Sequence, residues 1–211
     1  MITEEMEFWK GKFGEEYTER SIFSPEELDA FYQDQYGVSR TDMITFIFNN
    51  TSINSVLEVG CNIGNQLNHL QSNGYNNLYG IELQSYAVEK SKELTRGINI
   101  IQGSAFDIPF RNSYFDVVYT SGVLIHISPK DINQALTEIY RTSNRYIWGF
   151  EYFSEQYEEI NYRGHKGKLW KTNFAELYLK LFPDLKLVRE NRYKYLKEDN
   201  VDQMFLLEKV K

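Results

Sequence analysis

This chain of 211 residues contains one cysteine and three histidines. Cys61 has no partner, so an internal disulfide is excluded, and the histidines, at 69, 126 and 165, are too scattered to suggest a metal site. No apolar run is long enough to span a bilayer. The segment Met1-Ile2-Thr3-Glu4-Glu5-Met6-Glu7 is acidic and lacks the basic start and apolar centre of a secretory leader. Basic residues are in deficit, 23 Lys and Arg against 30 Asp and Glu, giving a net charge of -7 and a pI of about 5.1. A surface of that sign repels nucleic-acid phosphates and anionic membranes. A small-molecule partner and a cytoplasmic location are therefore expected, and the oligomeric state stays open.

Aromatic residues are plentiful, with 16 Tyr and 14 Phe. They build cores, and they also line pockets for flat or sugar-like ligands. The length suits one α/β domain over residues 1–211. Residues 1–50 read as a helical cap. Ser24-Pro25-Glu26-Glu27 places an N-cap serine, a proline at the first helical position and a glutamate three residues after the cap. A second helix is expected from about Thr41, with Met43, Ile44, Ile47 and Phe48 facing inward.

Residues 51–153 alternate strands and helices. Strands are expected just before Gly60 and at 78–82, 98–102, 115–120 and 146–153. Helices are expected at 64–73, at 84–94 and from 128, the last with Ile132, Ala135, Leu136, Ile139 and Tyr140 at the 3.6-residue period. Residues 154–211 give an irregular stretch, a helix from about 173 and two closing strands, 185–189 (continuing toward 195) and 202–208. Short connections in this order imply a Rossmann-like, doubly wound, mostly parallel sheet of seven strands, with an antiparallel C-terminal hairpin strand.

The most informative stretch is Val56-Leu57-Glu58-Val59-Gly60-Cys61-Asn62-Ile63-Gly64-Asn65-Gln66-Leu67. It reads as a buried strand, a glycine turn and a helix, an arrangement that brings a ligand against bare backbone and open helix amides. Glu58 sits at the end of this strand, and Glu82 ends the next. Two carboxylates there suit a cationic head and a ribose diol, and they suit a pyrophosphate badly. S-adenosylmethionine fits that description. The Gly-x-Gly-x-x-Gly turn of a nicotinamide-binding oxidoreductase is missing.

Four segments in register carry a family resemblance: residues 58–64, Glu82, Gly103-Ser104-Ala105-Phe106-Asp107-Ile108-Pro109-Phe110, and 115–118 through Gly122-Val123-Leu124-Ile125-His126-Ile127. Together they resemble the successive motifs of class I S-adenosylmethionine-dependent methyltransferases. Residues 7–20 and Tyr162-Arg163-Gly164-His165, continuing to 169–174, resemble the methylases associated with pseudaminic acid biosynthesis. That subgroup is linked to surface-glycan pathways.

The resemblance implies roles for particular residues. Gly60 and Gly64 make the turn. Asn62 stands where many relatives have glycine, and asparagine tolerates the left-handed conformation. Glu58 would face the amino or sulfonium region, or else cap a neighbouring loop. Glu82 would accept the ribose hydroxyls. Ser104 and Ala105 would meet the adenine edge, although relatives often carry aspartate at 104. Phe106 either packs on adenine or belongs to the core. Gly122 and Val123 would present carbonyls to the methionine amino group. Trp9, Tyr17 and Arg20 either close over the cofactor or staple the N-terminal helices down.

The expected reaction is methyl transfer to a small acceptor, leaving S-adenosylhomocysteine. His126, Glu151 and His165 are the candidate bases, His126 having the alternative of a buried, satisfied histidine. Residues 161–171 carry Arg163, His165, Lys166, Lys168 and Lys171 with no acid, so the acceptor is expected to be anionic, an acidic sugar or nucleotide sugar. A protein or other non-sugar acceptor, or a non-catalytic cofactor-binding subunit, is the alternative.

Overall fold

The computed structural model describes residues 2–210. Four helices come first: α1 (Glu4–Lys10), α2 (Lys12–Glu19), α3 (Pro25–Tyr36) and α4 (Arg40–Phe48). Thr3 caps α1 by accepting the Met6 N–H. At α3 the capping box forms as its residues predict. Ser24 Oγ accepts the Glu27 N–H at 3.2 Å, and the Glu27 carboxylate accepts the Ser24 N–H at 2.8 Å.

Next come β1 (Val56–Val59), α5 (Asn65–Ser72), β2 (Leu78–Glu82), α6 (Ser85–Leu94), β3 (Asn99–Gln102) and β4 (Phe115–Ser121). A 3-10 turn at Leu124–His126 leads to α7 (Ile132–Thr142), which runs directly into β5 (Ser143–Tyr152). A small ribbon of β6 (Glu158–Glu159) and β7 (Trp170–Lys171) precedes α8 (Phe174–Leu181), and β8 (Leu185–Lys194) and β9 (Val201–Lys209) follow.

Seven strands form one sheet in the order β3-β2-β1-β4-β5-β9-β8. The first five pair in parallel, and β9 lies antiparallel between β5 and β8. This is the mostly parallel Rossmann-like sheet with one antiparallel hairpin strand that the element order implies. Because β2 and β4 flank β1 on opposite sides, a crevice opens at the carboxyl end of β1.

Strand residues alternate between two cores. Leu57, Val118, Ile147 and Leu207 pack with Leu136, Ile139 and Phe174 on one face. Val56, Val117, Trp148 and Leu206 meet Met43, Ile47 and Leu67 on the other. A fully buried aliphatic side chain contributes about 1.5–3 kcal/mol. A one-residue slip would exchange the two faces of a strand, so this burial fixes the register.

The pattern reading and the structure part at three places. α7 begins at Ile132 rather than 128, because Ser128 Oγ donates to Asp131 Oδ2 at 2.7 Å and closes a turn ahead of the helix. β5 begins at Ser143 rather than 146, since buried Thr142 and Ser143 carry the chain straight from helix into sheet. The β6–β7 ribbon replaces an irregular stretch; strands of two residues leave no periodicity to read. Among the described residues no helix is long and apolar enough to cross a membrane.

Candidate active site

At the carboxyl end of β1 the chain turns through three left-handed residues, Gly60 at φ 76°, Asn62 at 49° and Gly64 at 85°. A Cβ at Gly60 would lie 2.6 Å from Val123 Cγ2, so space as well as conformation requires glycine there. Asn62 stabilises its own unusual conformation, its Oδ1 accepting the Ile63 N–H at 2.7 Å. Its Nδ2 donates to Thr18 Oγ1 at 3.1 Å and links the turn to α2, a contact that glycine would lack.

Glu82 braces the same turn. One carboxylate oxygen accepts the Asn62 N–H at 2.9 Å and the other accepts the Gln84 N–H at 2.8 Å. Burial raises its pKa while these amides pull the other way. Glu58 is 2% exposed, and burial pushes its pKa up to about 8 against the pull of Tyr119 and Arg40. Its Oε2 has no hydrogen-bond partner.

Both acids line one cavity that opens to solvent. Ser104, Ala105 and Phe106 after β3, and Gly122 and Val123 after β4, form further walls. α1 and α2 lie over the cavity and contribute Glu5, Met6, Trp9 and Tyr17. The two helices fold back tightly at Gly14, where a Cβ would fall 1.9 Å from the Trp9 carbonyl oxygen. Buried Gln84 holds them in place. Its Nε2 donates to the Trp9 and Gly11 carbonyls at 3.1 and 3.2 Å, and its Oε1 accepts from Thr18 Oγ1 at 3.3 Å.

His126 is also on the wall. Its Nδ1 lies 2.8 Å from the Lys168 carbonyl oxygen, and its ring packs against Trp9 (4.5 Å between centroids) and Tyr162 (5.2 Å). Burial lowers its pKa to about 4, so the ring is neutral. The ribbon that supplies Lys168 turns tightly at Arg163 (φ 52°) and Gly164 (φ 87°), with Tyr162 and His165 exchanging backbone bonds at 2.9 Å.

Glu151 is not at the cavity. It is 1% exposed beneath the β4 loop, where its carboxylate accepts the Val123 and Ile125 N–H groups at 3.2 and 3.4 Å. Burial raises its pKa to about 7. Its geometry is that of a loop brace, because both oxygens point at backbone. His165 is exposed on the outer side of the ribbon, packed on Phe8 at 4.9 Å and Phe13 at 5.7 Å. It too stands off the cavity wall. Arg20 is exposed at the end of α2, its guanidinium 5.7 Å from the Phe13 ring centroid and 5.4 Å from that of Tyr17.

The structure thus gathers Trp9, Tyr17, Glu58, Gly60, Asn62, Glu82, Ser104, Ala105, Phe106, Gly122, Val123 and His126 around one cavity. Gly64 sits just behind, as the N-cap of α5. Phe106, at 8% exposed, serves wall and core together. Glu5 and Gln84 also line the cavity and were not singled out. Gln84 lies two residues past Glu82 and could have been found there, whereas nothing local marks Glu5. Buried His69 pairs with Asp29 at 3.0 Å, and the Cys61 thiol is buried with its pKa raised.

Residues 57–145 match the family described as a methyltransferase domain. Comparison with curated proteins returns no match. Among solved structures, a similar fold is the 1,6-didemethyltoxoflavin N1-methyltransferase of Burkholderia thailandensis, determined with 1,6-didemethyltoxoflavin and S-adenosylhomocysteine bound. It has a TM-score of 0.67 at 11% identity, over 98% of this chain and 87% of that one. A Pyrococcus horikoshii OT3 protein gives 0.66 at 16% identity, over 87% and 92%. A SAM-dependent methyltransferase of Methanosarcina mazei gives 0.61 at 16%, over 74% and 92%.

At such identities the likeness establishes the fold. The domain match spans the glycine turn, Glu82 and the β4 loop, the segments that resemble class I S-adenosylmethionine-dependent methyltransferases. The cavity suits that cofactor. Glu82 and Glu58 place two carboxyl groups on the wall, the Glu58 Oε2 without a partner. A bound cation would draw off the Glu58 proton, and the side-chain-free Gly60 and Gly122 let the ligand approach the backbone.

Proposed function

We propose that this chain is an S-adenosylmethionine-dependent methyltransferase that modifies a small anionic acceptor, an acidic or nucleotide-linked sugar of surface-glycan biosynthesis in the cytoplasm, and that His126 accepts the acceptor's proton. The reading that residues 7–20 and 162–174 resemble methylases of pseudaminic acid biosynthesis favours the same class. In this view residues 1–50 cap the cofactor, 51–153 hold it and 154–211 form the acceptor side of a single domain.

The observation that carries the proposal is a set of cations seated over aromatic rings that belong to, or pack against, the cavity's Trp9, Tyr17 and His126. Arg20 lies over Phe13 and Tyr17, Arg163 over Tyr162 at 6.0 Å, and Lys168 over Phe8 at 5.7 Å. None of the three forms an ion pair among the described residues. On a chain with a net charge of -7, acids to pair with are plentiful, so three cations left free over aromatic rings favour an anionic ligand. The rings beside them give a sugar its apolar face.

S-adenosylmethionine supplies a methyl group already activated on a sulfonium. The chain has to align the acceptor, exclude water and take up a proton. The bond from Nδ1–H to the Lys168 carbonyl leaves Nε2 of His126 as the basic atom. An anion bound beside the ring would raise its pKa toward the working range, which links the cations over the rings to the base.

The test is turnover. The enzyme with S-adenosylmethionine is offered nucleotide sugars, nonulosonic acids and neutral sugars, and S-adenosylhomocysteine is measured. Turnover with the anionic set alone is expected. Turnover with neutral sugars alone, or with neither set, would overturn the proposal.

A further inference from the structure

α1 presents two unpaired polar atoms on one face. Glu5 Oε2 and Trp9 Nε1 are both buried without a hydrogen-bond partner, and both residues line the cofactor cavity. They are four residues apart, so they share one side of the helix. Met6, between them in sequence, packs in the same core as Phe106 and Ile127. This part of α1 therefore faces the same cavity as the 104–106 segment, where the adenine edge is expected.

That segment is poorly equipped for the adenine amine. Ser104 turns its hydroxyl back on its own chain, accepting the Phe106 N–H at 3.2 Å. A carboxylate, the usual partner for an exocyclic amine there, is missing from position 104. The Ala105 N–H makes no hydrogen bond within the described residues, so the wall offers a free donor. Adenine's Watson–Crick edge needs that donor for N1 and an acceptor for the 6-amino group. The acceptor is available from the other side of the cavity.

We infer that Glu5, on the N-terminal helix, accepts the hydrogen bond of the adenine 6-amino group and takes over the recognition that residue 104 cannot provide. The inference rests on the cofactor assignment. It makes base recognition depend on α1 being docked, because the acceptor arrives with the helix. An unpaired buried carboxylate oxygen is costly, so ligand binding and helix docking support each other.

Calorimetry tests this with two ligands, S-adenosylhomocysteine and its purine analogue lacking the 6-amino group. In the wild-type enzyme S-adenosylhomocysteine should bind more tightly. Glu5→Ala should weaken S-adenosylhomocysteine roughly tenfold and leave the analogue unchanged. Glu5→Gln, whose amide oxygen still accepts, should fall between. Equal losses on both ligands would assign Glu5 to the fold of α1 and overturn the inference, as would no loss on either. A wild-type enzyme that binds neither ligand would overturn the cofactor assignment first. Circular dichroism of each variant separates misfolding from lost recognition.

Discussion

The Nδ1 atom of His126 lies 2.8 Å from the carbonyl oxygen of Lys168. A carbonyl accepts only, so Nδ1 carries the proton and Nε2 keeps its lone pair. The same bond pins the basic ribbon to the turn after β4. His126→Asn should therefore lower kcat by about 10²–10⁴ and change S-adenosylhomocysteine affinity only a few-fold. Because burial holds the ring near pKa 4 before the acceptor binds, kcat/KM for the acceptor should stay flat down to about pH 5, whereas kcat, with the anion bound, should begin to fall at higher pH. An unchanged kcat in the variant would remove the base.

Glu82 braces the turn and, in the proposed cofactor site, would hold the ligand as well. Its oxygens hold the Asn62 and Gln84 amides, and they would accept the ribose hydroxyls through their remaining lone pairs. Glu82→Ala should weaken S-adenosylmethionine binding at least tenfold, in keeping with about 1.5–3 kcal/mol for hydrogen bonds to a charged group. Calorimetry that finds no change would take Glu82 out of the site.

The fold was legible because local signals agree with one another. The Ser24 box, the glycine turn and the period of Ile132, Ala135, Leu136 and Ile139 each name an element, and burial on two faces then leaves one sheet. The cavity wall was legible for the same reason, since Glu58, Gly60, Asn62 and Glu82 sit at or just past strand ends. Glu151 misled because a strand-end acid looks alike whether it faces a cavity or a loop amide. His165 and Arg20 stand off the cavity wall; charge marks a surface and leaves the distance to the chemistry unstated. Glu5 carried no signal, as its importance comes only from where α1 docks.

Three buried groups set the slope of the stability curve, two of them against the third. Glu58 titrates near 4.5 ordinarily and near 8 in the folded protein, so between those values the folded state holds the extra proton and stability falls as pH rises. Glu151, raised to about 7, adds to that slope. His126 moves from 6.5 down to about 4, and its contribution is lost as pH falls through that window. Summed, these groups place the highest thermal stability without cofactor near pH 4.5 to 5 and a decline from there to about pH 8, with Glu58→Gln removing part of the decline. A Tm that is level from pH 6 to 8.5 would contradict this.

The cations over the aromatic rings give a salt-dependent prediction. Arg20 and Arg163 are exposed, so their attraction for an anionic acceptor acts through solvent and is screened over about 8–10 Å at physiological salt. Raising the salt should increase KM for the acceptor and leave kcat nearly constant. Arg20→Ala combined with Arg163→Ala should raise KM several-fold and flatten its salt dependence, with S-adenosylhomocysteine affinity held within about twofold. Loss of cofactor affinity in that double variant would place Arg20 on the cofactor's carboxylate instead. The acceptor's anion would then have to be read from Arg163 and Lys168 alone.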